Sequence, residues 1–240
     1  MPKSLKQSSR KKTPRKRVVQ KASIGDGLFD SSAPFSFFIR SVSIVFLIWV
    51  CYRAFVQLPE WVDEIFAKAV VFGIPTILYA RNHVRSGSHQ IGLEKIRFWP
   101  GLYIGLMVGG LYGFVGVLRS ILHADEIMPV MLFSSSIFWW TFFLAIMTAW
   151  WESLFFFGYV LNALIDKVKY EIPAVAIATG VFLLFHLPLR LIIGGPGLLS
   201  ALFLLTLFAI GQSILYLRTR SLYSIAISHA IWGMVLLLYG

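Results

Sequence analysis

The 240-residue chain is 58% hydrophobic and only 14% charged, with a mean hydropathy of +0.75. Soluble domains carry nearer one quarter charged residues, so this is the composition of a polytopic membrane protein. The lone cysteine, Cys51, excludes an intrachain disulfide and a Cys-rich metal site, and it reads as a small apolar residue in a membrane helix.

The net charge of +11 is concentrated at the N-terminus. Residues 3–21 hold nine Lys and Arg side chains and no acid. Residues 1–33 are expected to be a disordered basic tail, held on the cytoplasmic side and touching anionic membrane lipid. A basic run can also bind nucleic acid; the solvated tail is preferred here, and no nucleic-acid partner is expected. No apolar core precedes residue 28, so the tail is not read as a cleavable signal peptide.

Residues 34–240 read as one all-α transmembrane helical bundle. The apolar runs are continuous and not alternating, which disfavours a β-barrel. Seven helices are expected, at about 35–56, 62–80, 98–118, 130–165, 172–193, 198–217 and 222–239. The fourth would be about 54 Å long if unbroken, too long for one simple crossing, so it must tilt, bend or project into water. One re-entrant crossing there would make eight spans. Lys/Arg-rich connections alternate with acidic or neutral ones, so the N-terminus is placed in the cytoplasm; the expected location is the plasma membrane of a prokaryote. In the third helix Gly101, Gly105, Gly109 and Gly113 recur every four residues and form a smooth stripe for a neighbouring helix.

Three polar residues stand out in the later helices, which make a catalytic-like core at about 130–240. Glu152 is the only charged side chain between Ile137 and Ile165. A charge at bilayer depth costs about 2.5–3.5 kcal/mol on insertion scales, so it faces a partner or a wet cavity. His186 and His229 lie in two later apolar helices, His186 at matching depth. One carboxylate and two imidazoles suit a divalent metal such as zinc, with Glu152, His186 and His229 as ligands. They equally suit metal-free hydrolysis, in which a desolvated Glu acts as general base toward water and a His stabilises the oxyanion. A proton-coupling site of a small transporter is a third use of such a carboxylate.

The segment from Glu152 to Gly158, ESLFFFG, resembles the first motif, EExxxR, of the CAAX protease and bacteriocin-processing family of intramembrane proteases. Phe182 to His186 matches the second motif, FxxxH. Arg218 to Leu222, followed by Ser228-His229-Ala230, is similar to the third, which ends in HAxxN. The resemblance covers about residues 148–236. It implies an intramembrane endopeptidase acting on a peptide or lipidated protein, with Glu152 activating water and His186 and His229 flanking it.

The motifs depart from the family at three positions. Ser153 replaces the second Glu, Phe157 the Arg and Gly233 the Asn. Losing one partner of a buried ion pair would strand the other at about 3–5 kcal/mol. Loss of both leaves a tolerable neutral pair, so these two changes belong together. Gly233 removes an amide that could hold an oxyanion. Asn162 or Gln212 could substitute for it, and Arg190, one turn after His186, either supplies the missing positive charge or snorkels to the interface. A relative that binds or protects a partner without cleaving it is the remaining alternative.

Overall fold

Each expected apolar stretch forms a helix. The computed structural model describes residues 35–83, 91–122, 135–193 and 198–239, without the side chains of 81–83, 119–120, 189–193 and 237–239. The tail expected over 1–33 lies outside the described residues. Helix α1 is Phe35–Phe55 and α2 covers 60–83. A tight turn at Lys95–Arg97 leads into α3, Phe98–Leu122. Then follow α4, Ser136–Val168, α5, Glu171–Ile193, α6, Leu198–Thr219, and α7, Leu222–Tyr239. The described residues contain no strand.

Five of these helices, α1, α3, α4, α5 and α6, are long and apolar enough to cross a membrane. Helix α7 contributes a shorter apolar stretch, Leu222–Leu236. Helix α2 stands apart because its first half carries Asp63, Glu64 and Lys68. The chain is an all-α integral membrane protein.

Helix α4 runs unbroken for 33 residues, about 50 Å. It ends at Lys169, whose left-handed φ of 63° lets its N–H close the last turn on the Ile165 carbonyl, 3.0 Å away. Its middle, Leu154–Leu161, is π-helical, and all eight residues of that segment are buried. Helix α2 holds two further π segments, Asp63–Ala67 and Ala69–Gly73, on either side of Lys68. Such widened turns recur at functional sites.

The π segment of α4 is the centre of the core. Phe155, Phe156, Phe182, Phe185 and Phe72 form a contiguous aromatic cluster there, each almost fully buried. Helix α1 is fixed to it by Trp49, whose indole N–H donates to the Phe185 carbonyl at 2.9 Å. Tyr52 and Arg53 then bond the Asp63 carboxylate at 2.6 and 2.7 Å, tying the end of α1 to the start of α2.

The glycine stripe is a packing surface for α7. A Cβ at Gly101 would meet the Ser221 hydroxyl, one at Gly105 would lie 2.8 Å from the Ser224 carbonyl oxygen, and one at Gly109 would strike Ile231. The two helices therefore run side by side and parallel. Gly105→Ala is expected to destabilise the protein by about 1–3 kcal/mol, because backbone cannot yield as a side chain does. Gly110→Ala, with nothing within 4 Å of its added carbon, is expected to stay within about 0.5 kcal/mol of wild type. Thermal unfolding of both variants in one detergent checks the contrast.

Candidate active site

Glu152 and Ser153 are the last residues before the π segment of α4, and both are buried. Glu152 retains only 7% exposure. Its two carboxylate oxygens have different partners. Oε1 accepts from the Lys68 ammonium at 3.0 Å. Oε2 faces both imidazoles, 3.6 Å from His186 Nε2 and 3.7 Å from His229 Nε2. The three residues predicted from isolated polar positions on three separate helices thus converge on one oxygen.

Each imidazole is held from behind. His186 Nδ1 lies 2.8 Å from the Phe182 carbonyl, one turn earlier on α5. A carbonyl only accepts, so Nδ1 carries a proton, and Nε2 is the ring nitrogen that faces Glu152. The Phe182 ring also stacks on His186 at 4.1 Å between centroids. His229 Nδ1 is 3.4 Å from the Ser153 hydroxyl, and its ring lies 4.8 Å from that of Phe208. Ser153, at the place of the family's second Glu, therefore orients a histidine. Phe157, at the place of the Arg, is buried against Phe182.

The missing positive charge comes from α2. Lys68 is 4% exposed, and its ammonium reaches Glu64 Oε2 at 2.6 Å, Glu152 Oε1 at 3.0 Å and Thr148 Oγ1 at 3.4 Å. The Thr148 hydroxyl in turn donates to Glu64. All three ammonium protons have acceptors, as burial of a charge requires. Sequence reasoning missed Lys68 and Glu64. The signal was present: Lys68 is the only basic residue between Val62 and Ala80, and Glu64 stands four residues before it on the same helix face.

Asn162, Gln212 and Gly233 do not join the cluster. Asn162 donates to the Tyr216 hydroxyl and the Gly158 carbonyl at 2.6 and 2.8 Å and accepts from Arg220 at 3.0 Å. Gln212 accepts from Ser228 at 2.9 Å, behind His229. The Arg190 side chain lies outside the described residues. Gly233 leaves open space, since nothing lies within 4 Å of where its Cβ would be. It borders a cavity of about 250 Å³ that reaches His229 and is lined also by Glu60, Glu64, Thr141, Ala145 and Thr148.

Residues 134–235 match the family described as type II CAAX prenyl endopeptidase Rce1-like. Over this segment the chain is similar to CAAX proteases. The match encloses all three motif residues, Glu152, His186 and His229, and excludes α1 to α3. No curated protein and no solved structure gave a match. The matched segment therefore carries the carboxylate and both imidazoles, while Lys68 and Glu64 are supplied from outside it.

Among the described residues no group of three or more His, Cys, Asp or Glu side chains is placed to hold a metal ion. The Lys68 ammonium beside Glu152 further disfavours a second cation on the same carboxylate.

Lys68→Met is expected to lower stability by about 3–5 kcal/mol, because it leaves the buried Glu152 and the half-buried Glu64 without their counter-charge. Adding Glu152→Gln should recover part of that loss. A double-mutant cycle by thermal unfolding reads the coupling, and simple additivity of the two changes would show that the pair does not interact.

Proposed function

We propose that the chain is a membrane-embedded peptidase that hydrolyses a peptide bond with a water activated by Glu152, without a metal. The observation that carries the reading is that Glu152 Oε2 has both Nε2 atoms at 3.6 and 3.7 Å. Those distances are too long for direct hydrogen bonds and within the reach of one shared water. The family match supports a peptidase acting on a peptide or prenylated protein.

The chemistry divides among the side chains as follows. Glu152 Oε2 takes a proton from water while His186 Nε2 accepts the second O–H, and the oxygen attacks the scissile carbonyl carbon. Ser153 donates its hydroxyl proton to His229 Nδ1, so Nε2–H of His229 is free to donate to the oxyanion. When the intermediate collapses, the C–N bond breaks and the amine takes the proton stored on Glu152. One water is consumed and the carboxylate is restored. Lys68 touches neither water nor substrate in this scheme. It holds Oε1 so that Oε2 points at the histidines.

Purified protein in liposomes, assayed on prenylated and plain peptides, tests this. Glu152→Gln and His186→Ala are each expected to lower kcat by about 10²–10⁴-fold, and a chelator should leave the rate unchanged. Equal cleavage by wild type and Glu152→Gln would sink the peptidase reading. Gly233→Asn, which has room for its side chain, is expected to raise kcat by up to about 10²-fold with little change in KM, as an added oxyanion donor does.

A further inference from the structure

Helices α1 and α2 are clamped at one end, where Tyr52 and Arg53 hold the Asp63 carboxylate. Toward their other ends a groove of about 530 Å³ lies between them. Ile44, Val45 and Ile48 of α1 and Pro75 and Leu78 of α2 form its apolar walls. Tyr159 of α4 also lines it, almost fully buried, with its ring 4.4 Å from that of Tyr79. The groove is remote from the carboxylate and imidazoles of the candidate active site, none of which borders it.

Arg40 is the charged residue among the described lining residues, and it stands near the start of α1. Its side chain is exposed, and among the described residues its guanidinium has no hydrogen-bond or ion-pair partner. A charge within a membrane-spanning helix needs a partner or a path to the interface. A guanidinium beside hydrocarbon offers parallel N–H donors that match a phosphate group. Asp166 lies within electrostatic reach of Tyr79, and it has Lys167 and Arg220 within reach to offset it.

The dimensions suit a lipid of one leaflet. From Arg40 to Ile48 the helix rises about 12 Å, against about 15 Å for half the hydrocarbon core. A headgroup at Arg40 would therefore send an acyl chain down the apolar walls and not across the bilayer. The net charge of that headgroup follows from the surroundings. A zwitterionic lipid brings its own ammonium toward Arg40, whereas an anionic one does not. The nine Lys and Arg of residues 3–21 precede this end of α1 in the chain and attract the same lipids.

We propose that the groove between α1 and α2 is a binding site for one anionic phospholipid, with its phosphate on Arg40 and one acyl chain along Ile44 and Ile48. The site stands whether or not the chain cleaves peptides.

Native mass spectrometry of the full chain in detergent tests it, with dioleoylphosphatidylglycerol and dioleoylphosphatidylcholine added in turn. The wild type is expected to retain one phosphatidylglycerol in preference to phosphatidylcholine. Arg40→Gln should weaken phosphatidylglycerol binding by about fivefold or more, although the nine cations of the tail remain. Lys95→Gln removes an exposed charge outside the groove and should leave the affinity within about twofold of wild type. Ile44→Trp and Ile48→Trp put bulk into the groove from exposed positions and should each displace both lipids. Thermal unfolding without lipid identifies which of these two variants folds as the wild type does, and that variant is the one scored. Equal losses in Arg40→Gln and Lys95→Gln would assign the lipid to net charge and overturn the proposal. Undiminished binding in a folded tryptophan variant, no preference between the two lipids, or a dimer that the same tryptophan abolishes would overturn it as well.

Discussion

The ion pair between Lys68 and Glu152, 3.0 Å long and shared with Glu64 at 2.6 Å, is the contact on which the arrangement of the site depends. A carboxylate buried among apolar helices is costly, and one beside a buried ammonium is tolerable only if every proton and lone pair finds a partner. Lys68 meets that condition with three acceptors, and Thr148 closes the ring by bonding Glu64. The constraint fixes more than charge. With Oε1 engaged, the plane of the Glu152 carboxylate is set, and Oε2 has only the histidine side to face. It also docks α2 on α4, two helices separated by more than fifty residues of sequence, at the level of the cavity.

The widened turns make this geometry reachable. Lys68 lies between two π segments and Glu152 lies just before a third. A π turn holds more residues than an α turn, so side chains on either side of it leave the face that α periodicity would assign. This is why the polar pattern of α2 was opaque in the sequence. Asp63 and Glu64 stand at the head of an expected span, and Lys68 is lost among its apolar neighbours. The helices themselves were legible, because unbroken apolar runs leave the backbone no other way to satisfy its hydrogen bonds. Glu152, His186 and His229 were legible for the complementary reason: each is a lone polar group on an apolar helix. The glycine stripe disclosed that α3 has a close neighbour, while its identity as α7 needed the structure, since spacing carries no information about the partner.

The motif departures take on physical meaning beside Lys68. A family pattern with Glu and Arg side by side on the first motif helix keeps its counter-charge local. Here Ser153 and Phe157 remove both charges from α4, and Ser153 takes over the support of His229 while Phe157 joins the aromatic core. The counter-charge and a second carboxylate reappear on α2 as Lys68 and Glu64. The segment that matches the family, 134–235, excludes α2. The electrostatic neighbourhood of Glu152 is therefore completed by a part of the chain that the family description does not reach.

The same relocation ties the chemistry to the packing. A counter-charge on the motif helix would survive movement of the neighbouring helices, whereas one on α2 holds only while α2 stays against α4. That contact is secured at three levels. Arg53 and Tyr52 clamp Asp63 at one end, Trp49 anchors α1 to α5, and Phe72 of α2 meets Phe155 and Phe156 directly below the charged cluster. Packed aromatic side chains deform little, so the layer under Glu152 gives the ion pair a rigid floor. The cavity lies on the other side of the charges, toward Glu60 and Gly233. The site is thus reached at His229 from one direction and braced from the other, and the brace is the hydrophobic core itself.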